Sequence, residues 1–249
     1  MQAIMAFPFA WKRSSAIASS PRGAPSANRR LAVRANRTLF GECLSMNRRT
    51  FNLAVPALLA GAGRAMAQPA GWVALFNGRG FDGFDPVGNA NWRIEDGALV
   101  ADRGNGFLVT RANYANFEFR TEVWVDTSTN SGIFIRATNP TTISAANAYE
   151  VNLWDERPVQ RFGTGAIVDL AAVDPMPRAG GRWNILEITA RGDSFTVVLN
   201  GQKTVDGARD GKHATGRIAL QHGDGIANAA GVVNDRGVVR FRKVELRAL

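Results

Sequence analysis

The sequence predicts an all-β fold, an antiparallel β-sandwich of the jelly-roll type, and three observations carry that prediction. From Gly71 onward, apolar and polar residues alternate in short runs, the period of strands with one buried face. Gly, Asn and Asp punctuate those runs. Among them, Asn200-Gly201 supplies the residue types that tolerate positive φ at both central positions of a type I′ hairpin turn. No segment sustains a useful apolar repeat of 3.6 residues, so the pattern lacks the helices that join parallel strands. Many short strands with turn punctuation then fold as a sandwich or jelly roll.

The chain before Gly71 is of another kind. The whole has 249 residues and a formal charge of +9, which by itself would suggest a nucleic-acid or membrane partner. Residues 1–67 hold ten Lys/Arg and one acid, Glu42, whereas residues 68–249 hold twenty of each sign. The excess charge therefore belongs entirely to the leader, and the body has no basic field to hold a phosphate backbone, so no nucleic-acid partner is expected. The single cysteine, Cys43, also lies in the leader, leaving the body without disulfides or thiolate metal sites.

Within the leader, Arg48-Arg49 precedes Phe51, a moderately apolar run from Leu53 to Gly63, and Ala65-Met66-Ala67 ahead of Gln68. An arginine pair, a short apolar run and a small-x-small cleavage site have the layout of a twin-arginine export signal over 46–67, cleaved after Ala67. That run is about a dozen residues long, well short of the ~20 that a spanning helix needs, so no stable membrane span is expected. Residues 1–45, Arg- and Ser-rich and nearly free of acids, read as an extension upstream of a translation start at Met46, with a transit peptide as the alternative. The mature body, 68–249, is expected to be one periplasmic or secreted domain. About 180 residues are enough for a single core.

In the body, Phe117–Val125 alternates cleanly, with Phe117, Phe119, Thr121, Val123 and Val125 on one face. Further strands are expected over Ile133–Arg136, Tyr149–Trp154, Ile185–Ala190, Phe195–Leu199, Gln202–Val205, Gly216–Leu220 and Val238–Leu246. The stretch Ala148–Asp155 is chemically the richest. Tyr149, Val151 and Leu153 make a core face, while Glu150, Asn152 and Trp154 project oppositely, about 7 Å apart at the strand repeat. A carboxylate can move a proton, an amide can orient a hydroxyl, and an indole can stack on a sugar ring. The alternative is a solvated strand face, with Glu150 paired to Arg136 across the sheet.

Motifs spread along the body resemble those of the 3-keto-disaccharide hydrolase family. They begin with Gly71-Trp72-Val73-Ala74-Leu75-Phe76-Asn77-Gly78 and Trp92-Arg93-Ile94-Glu95-Asp96-Gly97. Asn130-Ser131-Gly132-Ile133-Phe134-Ile135-Arg136, Tyr149-Glu150-Val151, Thr164-Gly165-Ala166 and Trp183-Asn184 follow. The series closes with Leu199-Asn200-Gly201, Ile218-Ala219-Leu220-Gln221-His222-Gly223 and Val239-Arg240-Phe241-Arg242. The resemblance implies a concanavalin A-like lectin/glucanase fold and cleavage of a glycoside whose sugar carries a ketone at C3. The departures are Phe84 in place of Trp, Ile167-Val168 after the Thr-Gly-Ala, Asn152 where Gln is common, and a long Gly/Ala/Asn stretch between Gly223 and Val238.

Such a reaction needs a base for the proton at C2, a stabiliser for the enolate oxygen, and a proton for the leaving oxygen. Glu150 is the first candidate for the base and His222 the second. Asn130, Arg136, Asn152, Trp154 and Gln221 are the substrate-binding candidates. A divalent ion held by Glu150, His222 and Asp155 would polarise the ketone, and an oxygen-rich set of this kind suits Ca²⁺, Mg²⁺ or Mn²⁺. No organic cofactor is expected.

Each candidate has a structural alternative. His222 could cap a strand end, Arg136 could serve to hold Glu150, and Trp124, like Trp154, could be a stacking plate or rim packing. Trp72, Trp92 and Trp183 are expected in the core, and His213 in solvent. The alternative function is a non-catalytic carbohydrate-binding module. A conventional glycosidase is disfavoured, because no Glu-x-Asp-x-x-Glu pattern occurs.

Overall fold

One antiparallel sheet runs, in spatial order, β11 (Gln202–Arg209), β10 (Ser194–Leu199), β9 (Arg182–Arg191), β6 (Phe117–Val125), β13 (Arg236–Ala248), β4 (Ala98–Arg103) and β3 (Arg93–Glu95). The two-residue β1 (Val73–Ala74) adds an eighth strand by pairing with β13. A second antiparallel sheet runs β2 (Phe84–Gly88), β5 (Gly106–Thr110), β12 (Arg217–Gly223), β7 (Asn130–Ala137) and β8 (Tyr149–Leu153). The structure is a computed structural model and describes residues 71–225, 230–231 and 233–249. Residues 46–67, expected to be an export signal, and the residues before them lie outside the described residues, as do residues 226–229 and 232 of the Gly/Ala/Asn stretch. Among the described residues no helix is long and apolar enough to cross a membrane.

The two sheets are joined by one apolar core, and alternation decides which residues enter it. Phe117, Phe119, Val123 and Val125 of β6 meet Ile133 and Ile135 of β7, Tyr149, Val151 and Leu153 of β8, and Ile218 and Leu220 of β12. Burying a side chain of this size stabilises the fold by roughly 1.5–3 kcal/mol. The expected hairpin is present: Asn200 has φ 52° and Gly201 φ 80°, the conformation of a type I′ turn, between β10 and β11. The fold is a jelly roll, as the alternation predicts.

Three features depart from the sequence reading. The strands β1 to β5 were not foreseen individually, being short and broken by Gly, Asn and Asp. Trp183 is not in the core: in β9 the inward residues are Asn184, Leu186 and Ile188, so Trp183 faces outward and is 37% exposed. Its register partner on β6, Trp124, shares that outer face of the eight-stranded sheet. Trp72 and Trp92 are half-buried, and Trp92 packs against the core edge. His213 is buried rather than solvated, its ring edge-on to Tyr149 at 5.3 Å.

The segment after β8 folds back along it and covers the free edge of the five-stranded sheet. Asn152 N–H donates to Ala166 O (3.0 Å), Gly165 N–H to Asn152 O (2.8 Å) and Val168 N–H to Glu150 O (2.9 Å). An edge strand that would otherwise present unpaired backbone groups is thereby closed, and charged residues of this segment are brought to the side of Glu150.

Candidate functional site

The outward face of the five-stranded sheet holds the row that the sequence singled out. Register places Gln221, Gly132 and Asn152 side by side on β12, β7 and β8, with Ala219, Phe134 and Glu150 forming the next row. One step further along β7, Asn130 pairs with Gly223. Asn130 and Gln221 thus alternate with Gly132 and Gly223 on two neighbouring strands.

The glycines let their neighbours close in. A Cβ on Gly132 would stand 3.0 Å from Val151 O, 3.3 Å from Gln221 Oε1 and 3.5 Å from Glu150 Cγ, so the bare backbone of Gly132 is the floor of a tight cup that the Gln221 and Glu150 side chains close around. A Cβ on Gly223 would meet Gln221 Nε2 at 2.9 Å and Asn130 Nδ2 at 3.0 Å. The cup is walled on one side by apolar residues, with Phe134 edge-on to Phe107 at 5.3 Å and Val109 and Ala219 beside them.

Its polar walls are unspent. Asn130 donates its amide N–H to Asp224 O (2.5 Å) and Asn152 donates to Phe162 O (2.8 Å), which fixes the direction of both side chains. Their carbonyl oxygens, and that of Gln221, are buried without a hydrogen-bond partner. Buried acceptors are nearly always satisfied in native proteins, so three on one face call for a ligand that brings donors, such as sugar hydroxyls or ordered water.

Glu150 lies against this cup, 8% exposed, with no side-chain hydrogen bond or ion pair among the described residues. Burial pushes its carboxyl up to about 7; the nearby charge of Arg157 opposes the rise and that of Asp169 adds to it. A carboxyl titrating there can both accept and return a proton near neutral pH.

Four of the expected residues therefore share one face: Asn130, Glu150, Asn152 and Gln221. Trp154 begins the loop just beyond, 9% exposed, with the Arg157 guanidinium 5.9 Å above its ring, so it offers no open plate. The other three are not brought to the cup.

His222 has the parity of Ile218 and Leu220 and points to the opposite side of β12, fully buried. Its Nδ1 lies 2.5 Å from Gly104 O and its Nε2 2.7 Å from Gly237 O, so both ring nitrogens are engaged by backbone. Arg136 sits at a β-bulge with φ 53° and is 1% exposed. It donates to Ala115 O (2.6 and 2.9 Å), Gly192 O (2.7 Å) and His213 O (3.1 Å), and no ion pair with Glu150 forms. Asp155 accepts from Thr164 Oγ1 (2.6 Å) and from the backbone N–H groups of Ala179 (3.0 Å) and Gly180 (2.9 Å), which pins the returning loop.

The expected divalent-ion set does not fit these positions. Glu150, His222 and Asp155 do not converge, the last two have their ligand atoms engaged, and the described residues contain no cluster of three His, Cys, Asp or Glu able to hold a metal.

A cleft of about 560 Å³ lies elsewhere, on the outer face of the eight-stranded sheet, lined in part by Arg120, Glu122, Glu187, Lys243 and Glu245. There Arg120 pairs with Glu245 and Lys243 with Glu122. Exposed cross-strand pairs of this kind are ordinary surface chemistry, in contrast to the unpaired groups around Glu150.

Sequence reasoning missed Arg157, Asp169, Gly132 and Gly223. The glycines stood within the quoted motifs, at positions of outward parity, and could have been read as a gap. Arg157 and Asp169 reach the site only because the loop doubles back, for which no local pattern gives a signal.

Two antiparallel sheets with an acceptor-lined cup on one outer face make this a jelly-roll domain with a candidate site for a polar ligand. The chain belongs to the 3-keto-disaccharide hydrolase family: the family model described as a 3-keto-alpha-glucoside-1,2-lyase-like domain matches residues 71–247. Among solved structures, the chain is similar to a putative glycosyl hydrolase from Parabacteroides distasonis ATCC 8503 in two crystal structures. One is 20% identical with a TM-score of 0.57, covering 72% of this chain and 94% of that one. The other is 22% identical with a TM-score of 0.56, covering 72% and 100%. A native glycosidic hydrolase is 11% identical with a TM-score of 0.52, covering 72% and 96%. No curated protein sequence matches this chain.

Proposed function

We propose that this protein is an exported enzyme that cleaves glycosides of 3-keto sugars, with Glu150 as the proton-transfer group. The observation that carries the reading is Glu150 itself, a buried carboxyl unpaired among the described residues and held near 7 beside three unpartnered amide oxygens. The family match supports the keto-sugar class.

In this reading the sugar lies over Gly132, its hydroxyls donating to Asn130, Asn152 and Gln221. A ketone at C3 acidifies the C2 proton. Glu150 takes that proton, the C–H pair forms C2=C3, and the carbonyl π pair moves onto the C3 oxygen. The pair then returns to remake the ketone, C1=C2 forms, and the C1–O bond breaks with its electrons on the leaving oxygen. Glu150 delivers the same proton to that oxygen, and water adds across C1=C2 to give the free keto sugar. The layout of residues 46–67, read as a twin-arginine signal, supports a site of action outside the cytoplasm.

The test incubates the purified full chain with a 3-keto-disaccharide and, separately, its unoxidised parent. Cleavage of the keto form alone is expected, with Glu150→Gln slower by at least ~100-fold, the usual contribution of a general base, while sugar affinity is kept. Equal cleavage of the parent would point to a conventional glycosidase. The unpartnered amide oxygens alone would also serve a non-catalytic sugar-binding module; binding of the keto sugar without turnover in the parent enzyme would establish that reading instead.

A further inference from the structure

The acceptor-lined cup can hold hydroxyls, but amide oxygens cannot neutralise the negative charge that develops on a ketone oxygen when its α-proton leaves. Hydrogen-bond donors or a cation must face that oxygen, and Arg136 is not free to do so, being committed to three backbone carbonyl partners. Arg157 is the cation whose charge reaches Glu150. It lies in the returning loop, half-buried, with no ion pair among the described residues and its Nε–H buried without a partner.

Its placement is fixed by local structure. Arg157 N–H donates to Trp154 O (3.5 Å), its carbonyl accepts from Gln160 Nε2 (2.5 Å), and its guanidinium lies over the Trp154 indole. A planar guanidinium resting on an aromatic face keeps its N–H edges free for an oxygen in the same plane. An Arg drawn into an ion pair with Glu150 would hold that carboxyl down and consume both groups. No ion pair joins the two among the described residues: Glu150 keeps its carboxyl, and Arg157 keeps an unpartnered Nε–H while its charge is felt at Glu150.

We propose that Arg157 binds the ketone oxygen of the substrate and carries the charge of the enolate that forms there. The inference rests on Glu150 acting as the base. In the step concerned, only the C2–H bond breaks. Its proton goes to Glu150, its electron pair forms C2=C3, and the displaced carbonyl pair becomes the oxyanion facing the guanidinium. No oxidant, reductant or second reactant enters. Polyhydroxylated ketones fit this site by presenting donors to Asn130, Asn152 and Gln221 and an acceptor to Arg157. Unoxidised sugars offer the guanidinium only a hydroxyl oxygen, which develops no negative charge.

The test isolates proton removal from bond cleavage. The full chain is incubated in D₂O with a 3-keto 1,5-anhydroalditol, a keto sugar without an aglycone at C1, and exchange of the C2 proton is followed by NMR. The wild type is expected to catalyse exchange. Arg157→Gln should slow it by ~100-fold or more, in the range seen when one oxyanion donor is removed, with affinity for the probe changed less than ~10-fold. Arg157→Lys, which keeps the charge and the stem, should retain exchange within about 10-fold of wild type. Where exchange in Arg157→Gln is still measurable, its acid limb should move to higher pH, because a positive charge near Glu150 has gone; an unmoved limb would place the guanidinium away from the base and overturn the assignment. If Glu150→Gln abolishes exchange while both Arg157 variants match wild type, the assignment of Arg157 is overturned and the base survives. If the wild type gives no exchange, or Glu150→Gln exchanges as fast as wild type, the base reading falls and takes this inference with it.

Discussion

Glu150→Gln makes a prediction about stability that is independent of any substrate. The carboxyl rises from its ordinary 4.5 to about 7 in the folded protein, chiefly through burial. At about 1.4 kcal/mol per pH unit, this corresponds to roughly 3 kcal/mol. The sign follows from linkage. An acid whose folded value is raised is protonated in the native state and ionised in the unfolded state between those two values, so its stability contribution is full below about 4.5 and is lost as pH rises through about 7. Gln mimics the neutral carboxyl and does not titrate. Wild type and Glu150→Gln should therefore differ by less than about 1 kcal/mol at pH 5, and by about 3 kcal/mol in favour of the variant at pH 8.5. Urea unfolding of both proteins at pH 5, 7 and 8.5 reads this directly. A stability difference that stays constant over that range would refute the burial argument, and with it the basis for Glu150 as a base near neutrality.

The remaining predictions concern the cup, the two engaged nitrogens and the leader. Gly132→Ala places a methyl group 3.3 Å from Gln221 Oε1 and 3.5 Å from Glu150 Cγ, with Val151 O at 3.0 Å. It should cut kcat/KM on the keto substrate by ~10-fold or more while costing about 1–3 kcal/mol in unfolding measurements; unchanged turnover would place the substrate elsewhere. His222→Ala removes the ring that lies between Gly104 O and Gly237 O, and should destabilise by roughly 1–3 kcal/mol while leaving turnover per folded molecule, with or without EDTA, near wild type. A selective loss of turnover, restored by added metal, would return His222 to the site. Replacing Arg48 and Arg49 by Lys should leave the precursor uncleaved in the cytoplasm of a host with a twin-arginine pathway, read by cell fractionation; normal processing would remove the export reading.

Parity made much of this legible in the sequence. Phe117–Val125 and Tyr149–Leu153 each show their buried and outward sets without a structure, and the pairing of Glu150 with Asn152 follows from the same count. His222 shows the method misapplied: Ile218, Leu220 and His222 have one parity, so a core-facing Ile218 already sends His222 inward, away from Gln221. Arg136 escaped for a physical reason. The bulge opposite Arg217–Ala219 interrupts the count and draws the arginine into a nest of carbonyls. Arg157 and Asp169 depended on a loop closing against β8 through backbone bonds, and backbone bonds carry no residue signature.

The checkerboard of Asn130, Gly132, Gln221 and Gly223 has a consequence for how such proteins diverge. Every second residue of β7 and β12 belongs to the core, and those between belong to the cup, so the two sets can change almost independently. Exchanging one amide for another polar side chain can repaint the cup while the interior set of the same strands stays in place. Chains that agree at only 20–22% of positions still superpose as the same sandwich, and the freedom to alter what is held at the surface is already written into the alternation of two strands.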